Sequence, residues 1–483
     1  MKPILCMAAA VGLLAGLRVG AEEKWAVHEW GTFTSLQDES GNALGGINTD
    51  DEPVPDFVHR LSSRAVLSPS ETPQFFVKGT PVCHPDVTLR METPVIYFHP
   101  PRTATGIQTV SVSVLFHGGW LSEFYPDAEV TAPGIRNDGL FGHLDAHTDS
   151  RLTWTDLKVG GDWPLTNTTE RVWTAPRAVA SAAVQTPGGE GEQFLFYRGV
   201  AHIDAPLRVS RNAGDELVFQ SQLEALPGSQ SLPVSSLWLV DIRPEGNIAF
   251  RELPALSLQR SQKILLHTPA EFPPGDFSPG NLNRLRTALQ RALVAQGLYP
   301  DEAQALLNTW EVSYFKSVGE RVFFLVPRAW TDFYLPLKLS RPADLQRVMV
   351  GRIELVTPKQ RGILRQISGF APGQIQHDAF ELSSNYADRF FPPLADGSSG
   401  QDRLRLNREM EAVNAGRQPL AGLVPIPGTY QAYLDLGRFR NALILNQASI
   451  HPTAGLTHFI DGFRLQSYQV ATASGSASTG ALP

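Results

Sequence analysis

The sequence contains few cysteines, and this limits how the fold can be held together. Of its 483 residues only Cys6 and Cys83 are cysteines. Removal of an N-terminal export signal would leave Cys83 as a single thiol, which cannot form a disulfide within the molecule. We therefore expect apolar packing to hold the fold. The remaining cysteine is an intermolecular bridge, a ligand, a nucleophile or, most commonly for a lone cysteine, a small buried hydrophobe.

Basic charge is also scarce. The chain has 41 Lys and Arg against 48 Asp and Glu, which gives a formal net charge of −7, and it has no run of basic residues. Proteins bind phosphate backbones through concentrated Lys/Arg faces. The composition therefore argues against a nucleic acid partner. Beyond residue 21, no stretch approaches the roughly 20 apolar residues that span a bilayer, so we expect no transmembrane anchor after signal cleavage.

The first 21 residues have the layout of a secretory signal peptide. Lys2 supplies a positive start, residues 4–17 are apolar or small, and residues 19–21 (Val-Gly-Ala) form a small-residue cleavage site. An uncleaved membrane anchor is the alternative, but the apolar run is short and Arg18 follows it directly. We predict an exported protein, located in the periplasm or outside the cell.

The residue pattern after the signal predicts an α+β, mostly β fold. Apolar residues occupy alternate positions from Val110 to Phe116, which is typical of a half-buried strand. Short strands of this kind, separated by polar turns, favour an antiparallel sandwich-like N-terminal part. The segment 243–246 (Arg-Pro-Glu-Gly) lies between two apolar runs and predicts a hairpin.

A mixed helical and strand C-terminal part follows residues 271–280, where three prolines and two glycines indicate a domain boundary. Leucines at helical spacing predict one helix over 282–293, and another begins at Pro300 with two carboxylates in its first turn. Residues 333–339 are predicted as a strand. The predicted organisation has four parts: a signal peptide at 1–21, a β-rich domain at 22–270, an α/β domain at 281–470 and a disordered tail at 471–483.

Two catalytic motifs are approached by the sequence but are incomplete. His117-Gly118-Gly119 follows an apolar strand, as the oxyanion loop of lipases and esterases does, but the chain contains no Gly-x-Ser-x-Gly nucleophile motif. A hairpin turn is the simpler interpretation. His28-Glu29 would begin the His-Glu-x-x-His motif of zinc proteases, but Thr32 occupies the position of the second histidine.

The most metal-like spacing is that of His143, Asp145 and His147. In an extended chain alternate residues share a face, so these two imidazoles and one carboxylate could converge on Zn²⁺ or Fe²⁺. The alternative is a solvated loop, which is the commoner outcome for a short segment among glycines and charged residues.

Other polar residues lie where a cleft could form. His28 and Glu29, bracketed by two tryptophans, are either a catalytic pair or a satisfied structural pair. Charged residues near the ends of apolar strands either line a cleft or form structural ion pairs. They are Glu92 (beside Arg90), Arg198, Arg328 and Asp332. Arg328 and Asp332 are expected to pair with each other across a turn.

Five segments of the chain resemble the signature segments of a group of uncharacterised exported bacterial proteins. They are HEWGTFT (28–34), METPVIYFH (91–99), FLFYRGV (194–200), LNTWEVSYF to RVFFLVPRAWTD (307–332) and RVMVGRIELVTP (347–358). The resemblance covers most of the mature chain and implies export and one co-folded unit from residue 22 to about residue 470. It implies no activity, cofactor or catalytic residue.

These observations predict a binding or structural protein of the cell envelope or extracellular space, with an envelope component, a glycan or another protein as its partner. The alternative is a metal-dependent extracytoplasmic hydrolase that uses Zn²⁺ or Fe²⁺ and some of the polar residues above. Six tryptophans either fill the core or form a sugar-binding surface. They are Trp25, Trp30, Trp120, Trp154, Trp163 and Trp173.

Overall fold

The structure is a computed structural model that describes most of the chain after the predicted signal peptide. The described residues are 24–49, 54–65, 76–101, 103–135, 141–223, 226, 228, 231–260, 263–390, 426–465, 468 and 470. The predicted signal peptide and the predicted C-terminal tail lie outside these ranges.

The described residues form strands along most of the chain. The strands are β1 (Trp25–Gln37), β2 (His59–Arg60), β3 (Phe76–Val77), β4 (Thr80–Pro81), β5 (Leu89–His99), β6 (Gln108–His117), β7 (Gly119–Tyr125), β8 (Glu129–Thr131), β9 (Asp149–Val159), β10 (Val184–Gln185), β11 (Gly191–Glu192), β12 (Leu195–Ala201), β13 (Leu207–Arg211), β14 (Glu216–Ser221), β15 (Ser231–Val234), β16 (Leu237–Ile242), β17 (Ile248–Leu253), β18 (Leu256–Gln259), β19 (Ile264–Pro269), β20 (Gly319–Leu325), β21 (Leu337–Leu339) and β22 (Ala343–Leu355).

Helices are concentrated in the second half of the chain. They are α1 (Leu61–Ala65), α2 (Arg171–Arg177), α3 (Asn281–Ala295), α4 (Pro300–Thr309), α5 (Glu311–Phe315), α6 (Arg328–Tyr334), α7 (Pro358–Ser368), α8 (Pro372–Phe390), α9 (Gly428–Asp435), α10 (Arg440–Ile450) and α11 (Ala454–Gly462), with a 3₁₀ turn at Pro274–Asp276. None of the helices in the described part of the chain combines the length and the apolar character needed to cross a membrane.

One large mixed sheet organises the molecule. Its 15 strands follow the order β11-β10-β9-β7-β12-β5-β1-β22-β20-β16-β17, with β2, β6, β8 and β21 attached beside this path. A three-stranded sheet (β13-β14-β19) and two two-stranded sheets (β15-β18 and β3-β4) accompany it. The content is 27% helix and 37% strand, so the predicted α+β, mostly β class is confirmed.

Strand β1 lies at the centre of the large sheet and is buried almost throughout. It pairs antiparallel with β5 and parallel with β22, so the sheet continues from the predicted N-terminal part into the predicted C-terminal part. Strands covered on both faces are expected to be apolar over their whole length. Strand β1 instead carries polar residues between its apolar ones. Glu29 and Thr34 find their partners on other strands of the same sheet, whereas His28 bonds a residue of helix α4.

Two apolar clusters cover the faces of the sheet. One contains Trp30 and Tyr97 and is covered by α3, α4 and α5. The other contains Phe33 and Ile353 and includes residues of α7, α9, α10 and α11. Because side chains alternate along a strand, successive residues of β1 point into different clusters.

Several predicted elements agree with the structure in detail. Strand β6 buries Val110, Val112, Val114 and Phe116 on one face. Strands β16 and β17 form the predicted hairpin, and α3 buries Leu285, Leu289 and Leu293.

Two local predictions are wrong. The strand predicted over 333–339 is in fact the end of helix α6 followed by the short strand β21, because Pro327 caps a helix and Pro336 separates it from the strand. The turn at Gly118-Gly119 does not join a hairpin. Strand β6 pairs with β9 and β21, and strand β7 pairs mainly with β12.

Candidate functional site

Three side chains with metal-binding atoms converge where β1 begins and β5 ends. They are His28 on β1, His99 at the end of β5 and Glu302 in the first turn of α4, and their ligand atoms all lie within 4.8 Å of one another. His28 Nδ1 lies 2.8 Å from Glu302 Oε2, and His99 Nε2 lies 2.9 Å from Glu302 Oε1. Among the described residues, no other group of three or more histidine, cysteine or acidic side chains has its ligand atoms this close together.

Strand pairing brings the two histidines together. In the antiparallel register of β1 and β5, His28 lies opposite Tyr97, and His99 is two residues further along β5. Such diagonal neighbours share a face of the sheet and are within reach of long side chains. The centroids of the two imidazole rings are 5.1 Å apart.

Helix α4 presents Glu302 to these histidines. The Glu302 side chain caps the start of this helix, because its Oε2 accepts from the backbone N–H of Tyr299 at 2.7 Å. Glu302 is fully buried. Burial favours its neutral form, but the hydrogen bonds with His28 and His99 outweigh this effect and hold the pKa of Glu302 below its usual range. The centre therefore contains a buried, ionised carboxylate between two imidazoles.

Tyr299 forms the outer wall of the triad. Its ring centroid lies 4.5 Å from that of His28 and 4.9 Å from that of His99. Tyr299 is 43% exposed, whereas the side chains of His28 and His99 are only 5% and 13% exposed. The triad is thus nearly closed, and its outer side reaches the surface at Tyr299.

The arrangement supports two interpretations. As a hydrogen-bonded cluster, the triad pins α4 to β1 and β5. As a metal centre, it supplies two imidazoles and one carboxylate, a ligand set that suits Zn²⁺ or Fe²⁺. Protein ligands bind such ions at about 2.0–2.2 Å, which separates the ligand atoms by roughly 3 Å, so the two histidine–carboxylate distances fit both interpretations.

No known family model and no curated protein matches this chain. The geometry of His28, His99 and Glu302 is therefore what indicates a site.

Glu29 lies on the opposite face from His28 and does not join the triad. It is fully buried and accepts hydrogen bonds from the Tyr197 hydroxyl and from Arg347 Nε. Burial and the Glu29 carboxylate raise the pKa of Tyr197 well above its usual range. Of the two predicted neighbours His28 and Glu29, the first belongs to the candidate site and the second to a structural ion pair.

The predicted pairing of Arg328 with Asp332 is present, and the turn between them is one turn of helix α6. Arg328 Nε donates to Asp332 Oδ2 at 2.8 Å, and both side chains are more than 40% exposed. Asp332 also accepts from Arg347 Nη1 at 3.0 Å. The pair therefore extends the buried Glu29–Arg347 contact to the surface.

Glu92 forms a buried charge cluster away from the triad. It lies opposite Thr32, four residues along β1 from His28, which corresponds to about 13 Å at roughly 3.3 Å per residue. Its carboxylate pairs with Arg90, with Arg438 Nη2 at 3.0 Å and with the Thr34 hydroxyl at 2.9 Å. Burial opposes ionisation, but the charges of Arg90, Lys78 and Arg352 lower the pKa of Glu92.

Arg198 is also engaged in the interior. It pairs with the buried carboxylate of Glu123 on the neighbouring strand β7, and Arg60 binds the other oxygen of this carboxylate at 3.1 Å. The pairing follows the strand register, in which Arg198 and Glu123 are directly opposite. This contact ties β12, β7 and the short strand β2 together.

The predicted metal triad of His143, Asp145 and His147 does not form. All three residues are exposed. His143 Nδ1 contacts Asp86 Oδ2 at 2.9 Å, while Asp145 accepts from the backbone N–H of His147 at 2.8 Å in a local turn. The segment curls instead of running extended, so alternate residues do not share a face. The solvated-loop alternative is the correct one.

The structure also places Cys83 and the tryptophans, for which the sequence left alternative roles. Cys83 is buried, and burial raises the pKa of its thiol to about 11. Five of the six tryptophans considered as a sugar-binding surface are core residues: Trp25, Trp30, Trp120, Trp154 and Trp173.

Sequence reasoning missed His99 and Glu302 as site residues. In the sequence, His99 stands out only as the last residue of the segment METPVIYFH, and Glu302 only as one of two carboxylates in the first turn of the helix that begins at Pro300. The usable signal was a histidine at the end of one apolar strand and another in the first strand, because adjacent antiparallel strands would place them side by side.

Proposed function

We propose that this chain is an exported protein of the cell envelope or extracellular space that binds one divalent metal ion, Zn²⁺ or Fe²⁺, through His28, His99 and Glu302. The observation that carries the proposal is the convergence of three ligand atoms from three different elements. Ligands fixed on strands and a helix hold an ion more precisely than ligands on loops. Export is supported by the signal-like N-terminus and by the resemblance to exported proteins.

A metal-dependent hydrolase is the second candidate, and the number of ligands favours it. Structural zinc sites use four protein ligands, whereas catalytic sites use three and keep a position for water or substrate. The triad supplies three. The bound ion would activate water or polarise a carbonyl, while Glu302 and the two imidazoles would hold the ion.

The described residues give less support for a general base. Asp301, next to Glu302, has both oxygens engaged, with the backbone N–H of Glu302 at 3.1 Å and that of Ala180 at 3.0 Å. Glu29 and Glu92 are held in buried ion pairs. Metal binding is therefore the primary proposal.

Elemental analysis of the mature protein tests metal binding directly. We expect about one Zn²⁺ or Fe²⁺ per chain, and a weakening of metal affinity by at least about tenfold in His99→Gln and Glu302→Gln. His143→Gln is the matched control, because His143 also contacts a carboxylate at 2.9 Å but lies outside the triad. Circular dichroism checks that each variant is folded. A folded protein that stays metal-free after incubation with both ions would overturn the proposal.

Cobalt substitution separates the two candidates. If a coordination position is open, small anions such as azide will change the visible absorption of the Co²⁺ protein, and model esters will be hydrolysed in a metal-dependent way. A Co²⁺ spectrum that does not respond to anions, with no hydrolysis, supports binding and removes the hydrolase.

A further inference from the structure

A second cluster of ionisable groups, separate from the triad, lies where the three-stranded sheet meets the large sheet. Glu320 on β20 and Asp241 on β16 are directly opposite each other in an antiparallel pair. Glu320 is 8% exposed, and its Oε1 atom is buried without a hydrogen-bond partner. Two facing carboxylates in such a place repel each other unless one of them binds a proton or a cation.

One arginine connects this pair to the smaller sheet. Arg211, at the end of β13, donates from Nη2 to Glu320 Oε2 at 2.7 Å, and its other amino group binds Asp215 in the turn that follows. At the other end of β13, the Gln37 side chain holds the backbone of Leu207 at 2.9 Å. The contact between Arg211 and Glu320 is thus a second, separate connection between the two sheets, and we call it the joint.

We propose that Glu320 and Asp241 form a carboxylate pair that binds one proton, so that the joint between β13–β14 and the large sheet is tighter in mildly acidic than in mildly alkaline solution. No described side chain donates to Glu320 Oε1, and the one arginine that binds the other oxygen of this carboxylate also binds Asp215. Arg211 is shared by Glu320, Asp215 and, at longer range, Glu39. Asp241 is faced by Arg321, Arg243 and Lys359.

The direction of the effect follows from the folded state's preference for the proton. Burial, opposed by Arg211 but reinforced by Asp241, raises the pKa of Glu320 to about 7 from an ordinary value of 4.5. Burial also raises the pKa of Asp241. A group with a raised folded pKa contributes stability that is fully present below its unfolded value and is lost as the pH rises through its folded value. The joint should therefore loosen between about pH 5 and pH 8.

Hydrogen exchange at residues 211–216 tests the proposal in the intact mature protein. After correction for intrinsic exchange, we expect local opening to increase about tenfold from about pH 6 to about pH 8. In Glu320→Gln, which mimics the protonated form and retains an acceptor for Arg211, opening should stay constant. Glu216→Gln is the matched control, because this carboxylate lies on the adjacent strand and is 46% exposed. It should keep the wild-type pH dependence.

Infrared difference spectroscopy provides a readout that does not require a variant to fold. The wild-type protein should show a protonated-carboxyl C=O band at about pH 6 that disappears by about pH 8, and Glu320→Gln should lack it. Exchange in Glu320→Gln with the wild-type pH dependence, or a wild-type spectrum without this band, would overturn the proposal.

Discussion

Glu29 and Arg347 form a pair of opposite charge inside the large sheet. Glu29 and the side chain of Arg347 are almost completely buried, and their pairing links β1 to β22. Although burial disfavours its charge, the Glu29 carboxylate raises the pKa of Arg347 above its usual range. Arg347 therefore keeps its charge in the interior, with the Glu29 carboxylate as its buried partner.

Removal of one partner should be far more harmful than loss of a surface pair. We expect Arg347→Met to lower the free energy of unfolding by about 3–5 kcal/mol, because Glu29 would remain as a buried, uncompensated charge. Arg328→Met, on the exposed side of the same network, should cost about 0–1 kcal/mol. Urea unfolding of both variants measures the difference. Equal losses would show that leaving Glu29 buried without Arg347 has no electrostatic cost.

A double variant gives an internal check. Replacement of Glu29 and Arg347 together by methionine removes both charges, so its loss of stability should be clearly smaller than the sum of the two single losses. Additive losses would place the effect in packing instead of in charge pairing.

At the scale of elements, local patterns were sufficient for most strands and helices but not for their partners. The alternation in β6 and the leucine stripe of α3 are short-range signals, and both elements formed as predicted. The pairing of β6 with β9 and of β7 with β12 depends on the whole sheet. Local patterns could not identify most of the site for the same reason, because Glu302 lies 274 residues from His28 and 203 residues from His99 along the chain.

The irregularity in β1 shows how tightly neighbouring elements pack. The register between β1 and β5 shifts between Trp30 and Thr32, at Gly31. A Cβ atom at Gly31 would lie 2.8 Å from Met349 Sδ and 3.0 Å from Pro94 Cα, on the strands at either side. The absence of a side chain at this position therefore lets three strands approach each other closely.

Gly31→Ala should consequently strain the centre of the sheet. We expect a loss of about 1–3 kcal/mol in the free energy of unfolding, which is typical of overpacking in a core. Gly373→Ala is the control, because nothing lies within 4 Å of a Cβ atom there and the residue is in helix α8. Thermal unfolding of both variants tests this. If Gly31→Ala were as stable as the control, Met349 would have room to move aside.

On the scale of the whole molecule, the central position of β1 places strands of both predicted domains in one continuous sheet. Its partner β22 and the neighbouring strand β20 belong to the second half of the sequence, as do the helices α3, α4 and α5 that cover one face. The candidate metal site also uses both predicted domains, because two of its ligands precede the predicted boundary and the third follows it.

A fragment of residues 22–270 should therefore not fold alone. It would leave the 13-residue strand β1 without its parallel partner and would expose the apolar face around Trp30 and Tyr97. An exposed long edge strand is prone to aggregation. We expect the fragment to aggregate without a cooperative unfolding transition, whereas the mature full chain should unfold in one transition with matching calorimetric and van't Hoff enthalpies. Co-expression with residues 271–483 should restore solubility, since the missing strands return. Cooperative unfolding of the isolated fragment would mean that its own strands close the sheet without β22.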